Sequence, residues 1–202
     1  MQELLKEVSD FVSSHTEKIM IGISGHGAAG KSTLVNQLIE MYDKDEIDYL
    51  NTDAYIIDSK YRSIVQVKYD YNNKSYVETP TACVPVSHEL NSLMRDISLL
   101  KYGHNLHTIE EPWMPSKIIN GNKRILIVEG MSLTFVDQEL FDLSIFIYAD
   151  SSVELTRRLD RDVKFRNGNP DYIIASHEKR RRQYEVFMKP LAEKFDILYK
   201  NN

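Results

Sequence analysis

The chain carries at residues 25–33 the stretch Gly25-His26-Gly27-Ala28-Ala29-Gly30-Lys31-Ser32-Thr33. This stretch fits the pattern G-x-x-x-x-G-K-S, in which successive backbone N–H groups form a cradle for phosphate groups. Residues 19–24 before it are mostly apolar, which predicts a buried strand, and apolar residues recur after it at the spacing of a helix. The loop therefore joins a strand to a helix, and the positive end of that helix faces the loop.

This loop predicts that the protein binds ATP and Mg²⁺. Lys31 is expected to reach the β- and γ-phosphates, and the hydroxyl of Ser32 is expected to hold the metal ion. The predicted nucleotide-binding residues of the loop are Gly25, His26, Gly27, Ala28, Ala29, Gly30, Lys31, Ser32 and Thr33. The alternative is a glycine-rich turn without a ligand, but the strand and the helix on either side favour phosphate binding.

Composition favours an enzyme domain with one hydrophobic core. The 202 residues are 42% hydrophobic, and the formal net charge is -5. Because nucleic-acid-binding domains usually have a strong basic excess, this charge argues against such a role. The single cysteine, Cys83, allows no internal disulfide, which favours a reducing compartment. The first residues are unlike a signal peptide, and no run of about 18 apolar residues occurs, so we expect a cytoplasmic protein without a membrane span.

The order of predicted elements indicates an α/β fold. Strands are predicted at residues 19–24, 47–51, 124–129, 143–148 and 196–199, and helices at 4–12, after the loop, at 153–165 and at 177–195. Strands that are apolar on both faces are typical of a parallel sheet between helix layers. We therefore predict one doubly wound domain over residues 1–202, a P-loop NTPase fold with a mostly parallel sheet and ligands at the C-terminal ends of its strands.

Residues 55–123 interrupt this alternation and are predicted to form an insert that binds the phosphoryl acceptor. Residues 64–71 alternate with period two, Asn72-Asn73-Lys74 fits a turn, and residues 75–77 fit a returning strand, so a small hairpin is expected. Ser87 is the predicted N-cap of a helix that runs to Gly103, and residues 105–122 are expected to be irregular.

Two carboxylates are predicted to follow strands beside the loop. Glu129 ends an apolar strand and precedes Gly130, which is the Walker B arrangement that holds Mg²⁺ or its water ligands. Asp53 follows the second strand and is expected to accept a proton from an acceptor hydroxyl, or to contribute to the metal site. The alternatives are a capping or solvated acid for Glu129 and an Asx-turn residue for Asp53.

A basic segment, residues 156–166, follows the fourth core strand. One interpretation is a solvated helix face with ion pairs. We favour a helical lid over residues 153–172, whose arginines neutralise charge on the transferring phosphoryl group and exclude water. The later run Lys179-Arg180-Arg181-Arg182 fits phosphate contact and a solvated helix face equally well.

Taken together, these segments resemble the uridine kinase and phosphoribulokinase family of P-loop kinases. The segments that carry the resemblance are 21–25 with 30–33, Asp53-Ala54-Tyr55, Val128-Glu129-Gly130, Arg157-Arg158-Leu159 with Arg161-Asp162, Gln183-Tyr184 and Lys189-Pro190. Their order and approximate spacing match the family from about residue 19 to the C-terminus.

The resemblance implies transfer of the γ-phosphoryl group of ATP to a hydroxyl, with the 5′-hydroxyl of a nucleoside as the leading acceptor. It implies that Asp53 is the base, that Lys31 and Arg161 assist catalysis, and that Arg157 and Arg161 face the nucleotide. Glu78, in Glu78-Thr79-Pro80-Thr81-Ala82, stands where uridine kinases have the aspartate that holds the ribose hydroxyls. The acceptor-binding residues so predicted are Asp53, Tyr55, Glu78, Arg158 and Arg166. Uridine kinases often assemble, so a homo-oligomer is a further expectation.

The chain departs from the family pattern in the acceptor region. Glu78 is one methylene longer than the expected aspartate, and residues 108–113 show no match to the Tyr-Asp-Phe segment that reads the pyrimidine. The second lid arginine of the family is replaced within residues 167–169. Three hypotheses therefore stay open: a nucleoside kinase, a kinase of another alcohol (sugar phosphate, pantothenate-like or glycerate-like), and a nucleotide-dependent switch. The switch is least favoured, because the guanine motif N-K-x-D is absent.

Overall fold

A computed structural model describes residues 1–166 and 168–202, and at Arg166 it describes the backbone alone. The strands are β1 (Ile19–Gly25), β2 (Ile47–Asn51), β3 (Val67–Tyr71), β4 (Lys74–Glu78), β5 (Leu106–His107), β6 (Ile118–Ile119), β7 (Ile125–Glu129), β8 (Leu143–Tyr148) and β9 (Ile197–Lys200). The α-helices are α1 (Gln2–Ser14), α2 (Lys31–Met41), α3 (Ser59–Arg62), α4 (Leu90–Lys101), α5 (Ser151–Arg166) and α6 (Pro170–Gln183). Every helix in the described part of the chain is too short or too polar to cross a membrane.

The central sheet has the strand order β2-β7-β1-β8-β9, and all its pairings are parallel. Every residue of β1 and of β7 is buried, which agrees with the apolar sequence of these strands. Alternate residues of a strand point to opposite faces, so Ile21 packs with α1 and α2 on one face, while Met20 packs with α4 on the other. The predicted doubly wound α/β fold with a parallel sheet is confirmed.

The insert contains the predicted hairpin. Strands β3 and β4 pair antiparallel, from Val67↔Glu78 to Tyr71↔Lys74. Asn72 and Asn73 connect them with φ angles of 50° and 60°, which Asn tolerates better than most residues. Two expectations for the insert are wrong. Helix α4 has Glu89, not Ser87, at its N-cap, because the Ser87 hydroxyl donates to the carbonyl of Thr81. Residues 105–122 are not wholly irregular, since β5 and β6 pair within them.

The C-terminal helical region differs from the single helix predicted at residues 177–195. Helix α6 begins at Pro170, where Asn169 caps it by accepting hydrogen bonds from two backbone N–H groups. It ends at Gln183 and is followed by a π-helical turn (Tyr184–Met188) and a 3-10 turn (Lys189–Lys194). Pro190 lacks the backbone N–H that an α-helix would need there, which accounts for the change in helix type.

Candidate active site

The phosphate-binding loop connects β1 to α2, as the sequence predicts. Gly30 is the N-cap of α2 with a φ of 109°, so the N–H groups of the first helical turn have no partners within the helix. Gly25 at the end of β1 has a φ of 138°, and a Cβ there would lie 1.9 Å from the carbonyl oxygen of Ile147. Only glycine permits this close approach of the loop to β8.

Lys31 and Ser32 lie against Glu129, which ends the neighbouring strand β7. The Lys31 Nζ lies 3.7 Å from the Glu129 Oε1, and the Ser32 hydroxyl donates to the Glu129 Oε2 at 3.4 Å. Tyr49 of β2 donates to the same Oε2 at 2.7 Å. Gly130 then turns the backbone with a φ of 153°, where a Cβ would lie 2.0 Å from the Thr52 hydroxyl oxygen. The structure thus gives the loop a carboxylate neighbour at the position predicted for a metal ligand.

Asp53 lies at the same edge of the sheet, in the short 3-10 turn Asp53–Tyr55 that follows β2. Its backbone N–H donates to the Asn51 side-chain oxygen at 2.8 Å, so Asn51 is the residue that forms the Asx-type contact. In the described part of the chain, no hydrogen bond or ion pair occupies the Asp53 carboxylate. This carboxylate is therefore available to a substrate.

A cleft of about 640 Å³ joins these elements. The predicted site residues that line it are Gly27, Ala28, Gly30, Lys31, Ser32, Thr33, Asp53, Glu129, Arg157 and Arg161. Three further residues of the loop, Gly25, His26 and Ala29, are buried beneath it. The cleft therefore brings the loop, both predicted carboxylates and two of the predicted lid arginines into one space.

His26 is buried within the loop and fixes its shape. Its Nε2 accepts a hydrogen bond from the Ala149 backbone N–H at 2.8 Å, so its proton lies on Nδ1, 2.9 Å from the Gly27 carbonyl oxygen. Burial, despite the nearby Glu154 carboxylate, holds the pKa of His26 below its ordinary value. The neutral ring therefore ties the loop to the backbone that leads into α5.

The lid residues divide into two groups. Arg157 donates to the Asn201 carbonyl at 2.8 Å, and Arg161 donates to Asp162 at 2.8 Å, and both line the cleft. Arg158 is buried, its Nε lies 3.9 Å from Asp162, and it is not among the residues that line the cleft. The predicted Arg166 contact concerns a side chain outside the described atoms, and Asn167 lies outside the described residues.

Two predicted acceptor-binding residues have other partners. Tyr55 is 1% exposed, and its hydroxyl donates to Asp96 at 2.6 Å, so it packs in the core rather than in the cleft. Glu78 accepts from Arg182 at 2.7 Å through Oε1 and from the Tyr69 hydroxyl through Oε2. Burial opposes ionisation of Glu78, but these hydrogen bonds outweigh it and hold the pKa of the carboxyl below its ordinary value.

Seven lining residues were not predicted from the sequence, namely Met1, Ile56, Arg62, Ala82, Met131, Arg180 and Asn201. Arg62 and Arg180 contribute guanidinium groups, Met1 contributes apolar surface, and Asn201 donates to the Ala29 carbonyl at 2.8 Å. Arg180 lies in the basic run at 179–182, but helical periodicity alone could not tell which member of the run faces the cleft. Arg62 lies on a single helical turn with no distinguishing pattern.

Comparison with known proteins gives a consistent result. The model of the phosphoribulokinase / uridine kinase family matches residues 20–201. A uridine kinase from Clostridium novyi (strain NT) is 29% identical over 182 residues, which is 88% of this chain and 80% of that protein. A uridine kinase from Clostridium perfringens (strain 13 / Type A) is 30% identical over 184 residues, with the same shares covered.

Solved structures show the same fold at much lower sequence identity. A D-glycerate 3-kinase from Cryptococcus neoformans var. grubii superposes with a TM-score of 0.60 over 93% of this chain and 89% of that chain, at 12% identity. This likeness concerns the fold alone, whereas the family model covers nearly the whole sequence. The chain belongs to the phosphoribulokinase/uridine kinase family.

Proposed function

We propose that this protein transfers the γ-phosphoryl group of ATP to a hydroxyl of a small-molecule acceptor, with Mg²⁺ as cofactor. One observation carries the proposal: Lys31, Ser32, Glu129 and Asp53 all line a single cleft. The first three can bind a metal-bound triphosphate, and the Asp53 carboxylate has no hydrogen-bond or ion-pair partner among the described residues. A protein that only binds nucleotide has no need of such a base.

The residues at the loop fit a Mg²⁺–nucleotide complex. Backbone N–H groups at the start of α2 are free to bind phosphate oxygens, and Ser32 and Glu129 supply the oxygen ligands that Mg²⁺ prefers. The described residues contain no cluster of three or more His, Cys, Asp or Glu side chains that could hold a metal unaided. Phosphate and water oxygens would complete its coordination, and the bound ion would neutralise phosphate charge.

Asp53 acts in this proposal as the general base. Its carboxylate takes the proton of the acceptor hydroxyl while the hydroxyl oxygen bonds to the γ-phosphorus and the bond to the β-phosphate oxygen breaks, which releases ADP. Lys31 and Arg161 stabilise the charge on the transferring group. Residues 55–123 supply acceptor contacts, and residues 153–172 act as the lid that excludes water.

Two acceptor classes are candidates. A nucleoside, phosphorylated on its 5′-hydroxyl, is supported by the names of the curated relatives and by the place of Glu78 beside Pro80. An alcohol such as a sugar phosphate, pantothenate or glycerate is supported by the guanidinium groups of Arg62 and Arg180 in the cleft. We propose a cytoplasmic location, because ATP is available there and the single cysteine needs no oxidising compartment.

A screen of ATP turnover tests the proposal. The purified protein is supplied with MgATP and with nucleosides, sugar phosphates, pantothenate or glycerate in turn. We expect at least one acceptor to stimulate ADP formation, and Lys31→Ala to abolish this stimulation because it removes a positive charge from the phosphate cradle. Lys6→Ala on the exposed face of α1 is the matched control. Near-normal turnover by Lys31→Ala would show that the loop does not bind the reacting phosphates.

A further inference from the structure

Two arginines line the cleft without a carboxylate partner in the part of the chain that the structure describes. Arg62 comes from the single-turn helix α3 in the insert, and Arg180 comes from α6 after the lid. We infer that Arg62 and Arg180 form an anion-binding subsite that recognises a carboxylate or phosphate group on the acceptor. This inference rests on the proposed kinase function and selects the second of the two acceptor classes.

Two backbone carbonyl groups hold Arg62 in place. Its Nε donates to the Ile57 carbonyl at 2.7 Å, and its Nη1 donates to the Pro80 carbonyl at 2.9 Å. Within the described chain no hydrogen bond or ion pair occupies Nη2. Burial, and next the positive charge of Arg180, lower the pKa of Arg62 and outweigh the opposing effect of Asp58.

Arg180 differs from its two neighbours in the basic run. Arg181 pairs with Glu154 and Glu185, and Arg182 pairs with Glu78. Arg180 has no such pair among the described residues, and its buried Nε, like that of Arg182, has no hydrogen-bond partner there. Its Nη2 lies 3.4 Å from the point that a Cβ on Gly27 would occupy, so its guanidinium reaches the phosphate-binding loop. A buried donor without a partner is costly unless a ligand satisfies it.

The cleft is lined by more cationic than anionic side chains. Its described lining residues include five cationic side chains, namely Lys31, Arg62, Arg157, Arg161 and Arg180, and two carboxylates, Asp53 and Glu129. Two of these cations already have carboxylate neighbours, since Arg161 pairs with Asp162 at 2.8 Å and the Lys31 Nζ lies 3.7 Å from Glu129. Arg62, Arg157 and Arg180 have no ion pair among the described residues and can therefore bind anionic groups of the nucleotide and of the acceptor.

The neighbouring surface suits a small acceptor. Ile56, Ala82 and Met131 line the cleft together with Arg62 and Asp53. These apolar side chains can pack against a short carbon chain, while the arginines bind its anionic end and Asp53 meets its hydroxyl. The alternative role for the two arginines is to bind the transferring phosphoryl group of the nucleotide. The test must therefore distinguish an anionic group on the acceptor from the phosphates of the nucleotide.

Equilibrium binding provides the first arm of the test. Binding of Mg²⁺ and AMP-PNP is measured by calorimetry first, and the saturated complex is then titrated with inorganic phosphate, D-glycerate, ribose 5-phosphate and uridine. Because the nucleotide already fills the phosphate-binding loop, an added anion can bind only at the acceptor end of the cleft. We expect at least one anion to bind there more tightly than uridine does. Arg62→Gln and Arg180→Gln should weaken that binding about 10- to 100-fold, the usual effect of losing a charged hydrogen bond. Exposed Lys60→Gln, on the same helical turn as Arg62, is the control and should change nothing.

Steady-state kinetics provides the second arm. For an acceptor that stimulates turnover, the two variants should raise the KM of the acceptor and leave the KM of ATP within a few-fold of wild type. The inference is overturned if none of the three anions binds, if binding is unchanged in both variants, or if the variants lower kcat at constant acceptor KM. Failure of the wild-type protein to bind AMP-PNP would instead overturn the proposed function, and this inference with it.

Discussion

At the scale of single residues, the site depends on which carboxylates are already occupied. Glu129 receives hydrogen bonds from Ser32 and Tyr49 and lies beside Lys31, whereas the Asp53 carboxylate has no such partner in the described chain. The first arrangement suits a metal ligand that must be held still. The second suits a base whose partner arrives with the substrate.

Asp53→Asn keeps the shape of the side chain but cannot accept a proton at neutral pH. We expect kcat to fall roughly 10²- to 10⁴-fold while the affinity for MgATP changes little, since general-base catalysis contributes about that much to rate. Steady-state turnover and calorimetric nucleotide binding measure the two effects. Asp43→Asn, an exposed position outside the cleft, should behave as wild type. Lost nucleotide affinity with normal turnover would instead assign Asp53 to the metal site.

At the scale of elements, helix α6 connects three parts of the site through three consecutive arginines. Arg180 faces the cleft, Arg181 pairs with Glu154 of α5, and Arg182 pairs with Glu78 at the end of β4. Tyr69 of β3 also packs edge-on against Phe187 of the π-helical turn. These contacts attach the hairpin to α6 and to the π-helical turn that follows it.

Glu78→Gln tests whether Glu78 is an anchor of the hairpin or a ligand of the acceptor. As an anchor, its pair with Arg182 is half-buried, so we expect a loss of about 1 kcal/mol in local stability and faster amide exchange in residues 67–78. The acceptor KM should then change little. If Glu78 instead holds vicinal hydroxyls, the variant should erase a preference for ribonucleosides over 2′-deoxyribonucleosides. Glu178→Gln, which removes the exposed second partner of Arg182, is the control.

The parts of the site that depend on a local sequence pattern could be predicted from the sequence. The loop, its flanking strand and helix, and the carboxylates that follow β2 and β7 were predicted because parallel strand ends meet at one edge of a sheet. Tyr49, Arg62 and Arg180 were missed because their roles depend on which elements pack side by side. The contact between Glu78 and Arg182 joins residues 104 positions apart, and no spacing rule predicts it.

At the scale of the whole molecule, buried histidines make stability depend on pH. His88 connects the insert to the loop after β7: its Nε2 donates to the Ala82 carbonyl, and its Nδ1 accepts from the Ser132 hydroxyl. Burial lowers the pKa of His88 from 6.5 to about 4. His88 is therefore protonated below about pH 6.5 in the unfolded chain, but only below about pH 4 in the folded protein.

The free energy of unfolding should thus fall as the pH is lowered from 6.5 towards 4, by up to about 3 kcal/mol for His88 alone. Chemical denaturation of wild type and His88→Gln at several pH values in this window measures the effect. The variant should show a shallower decline, with the rest due to His26 and His177, whose pKa values are also lowered by burial. The exposed substitution His107→Gln is the control. Equal slopes in wild type and His88→Gln would contradict the assignment.

The position of β1 between β7 and β8 has a consequence for biosynthesis. The strand that ends in the phosphate-binding loop leaves the ribosome early, yet its hydrogen-bonded partners lie about a hundred residues later, at Ile19↔Ile125 and Ile21↔Leu143. Because β2 also pairs only with β7 in the sheet, a nascent chain that stops at residue 123 has no sheet to join. We expect such a fragment to show rapid amide exchange throughout β1 and no binding of AMP-PNP. Nucleotide binding therefore cannot guide the early steps of folding. The apolar segment at residues 19–25 must also avoid aggregation until the second half of the chain has been synthesised.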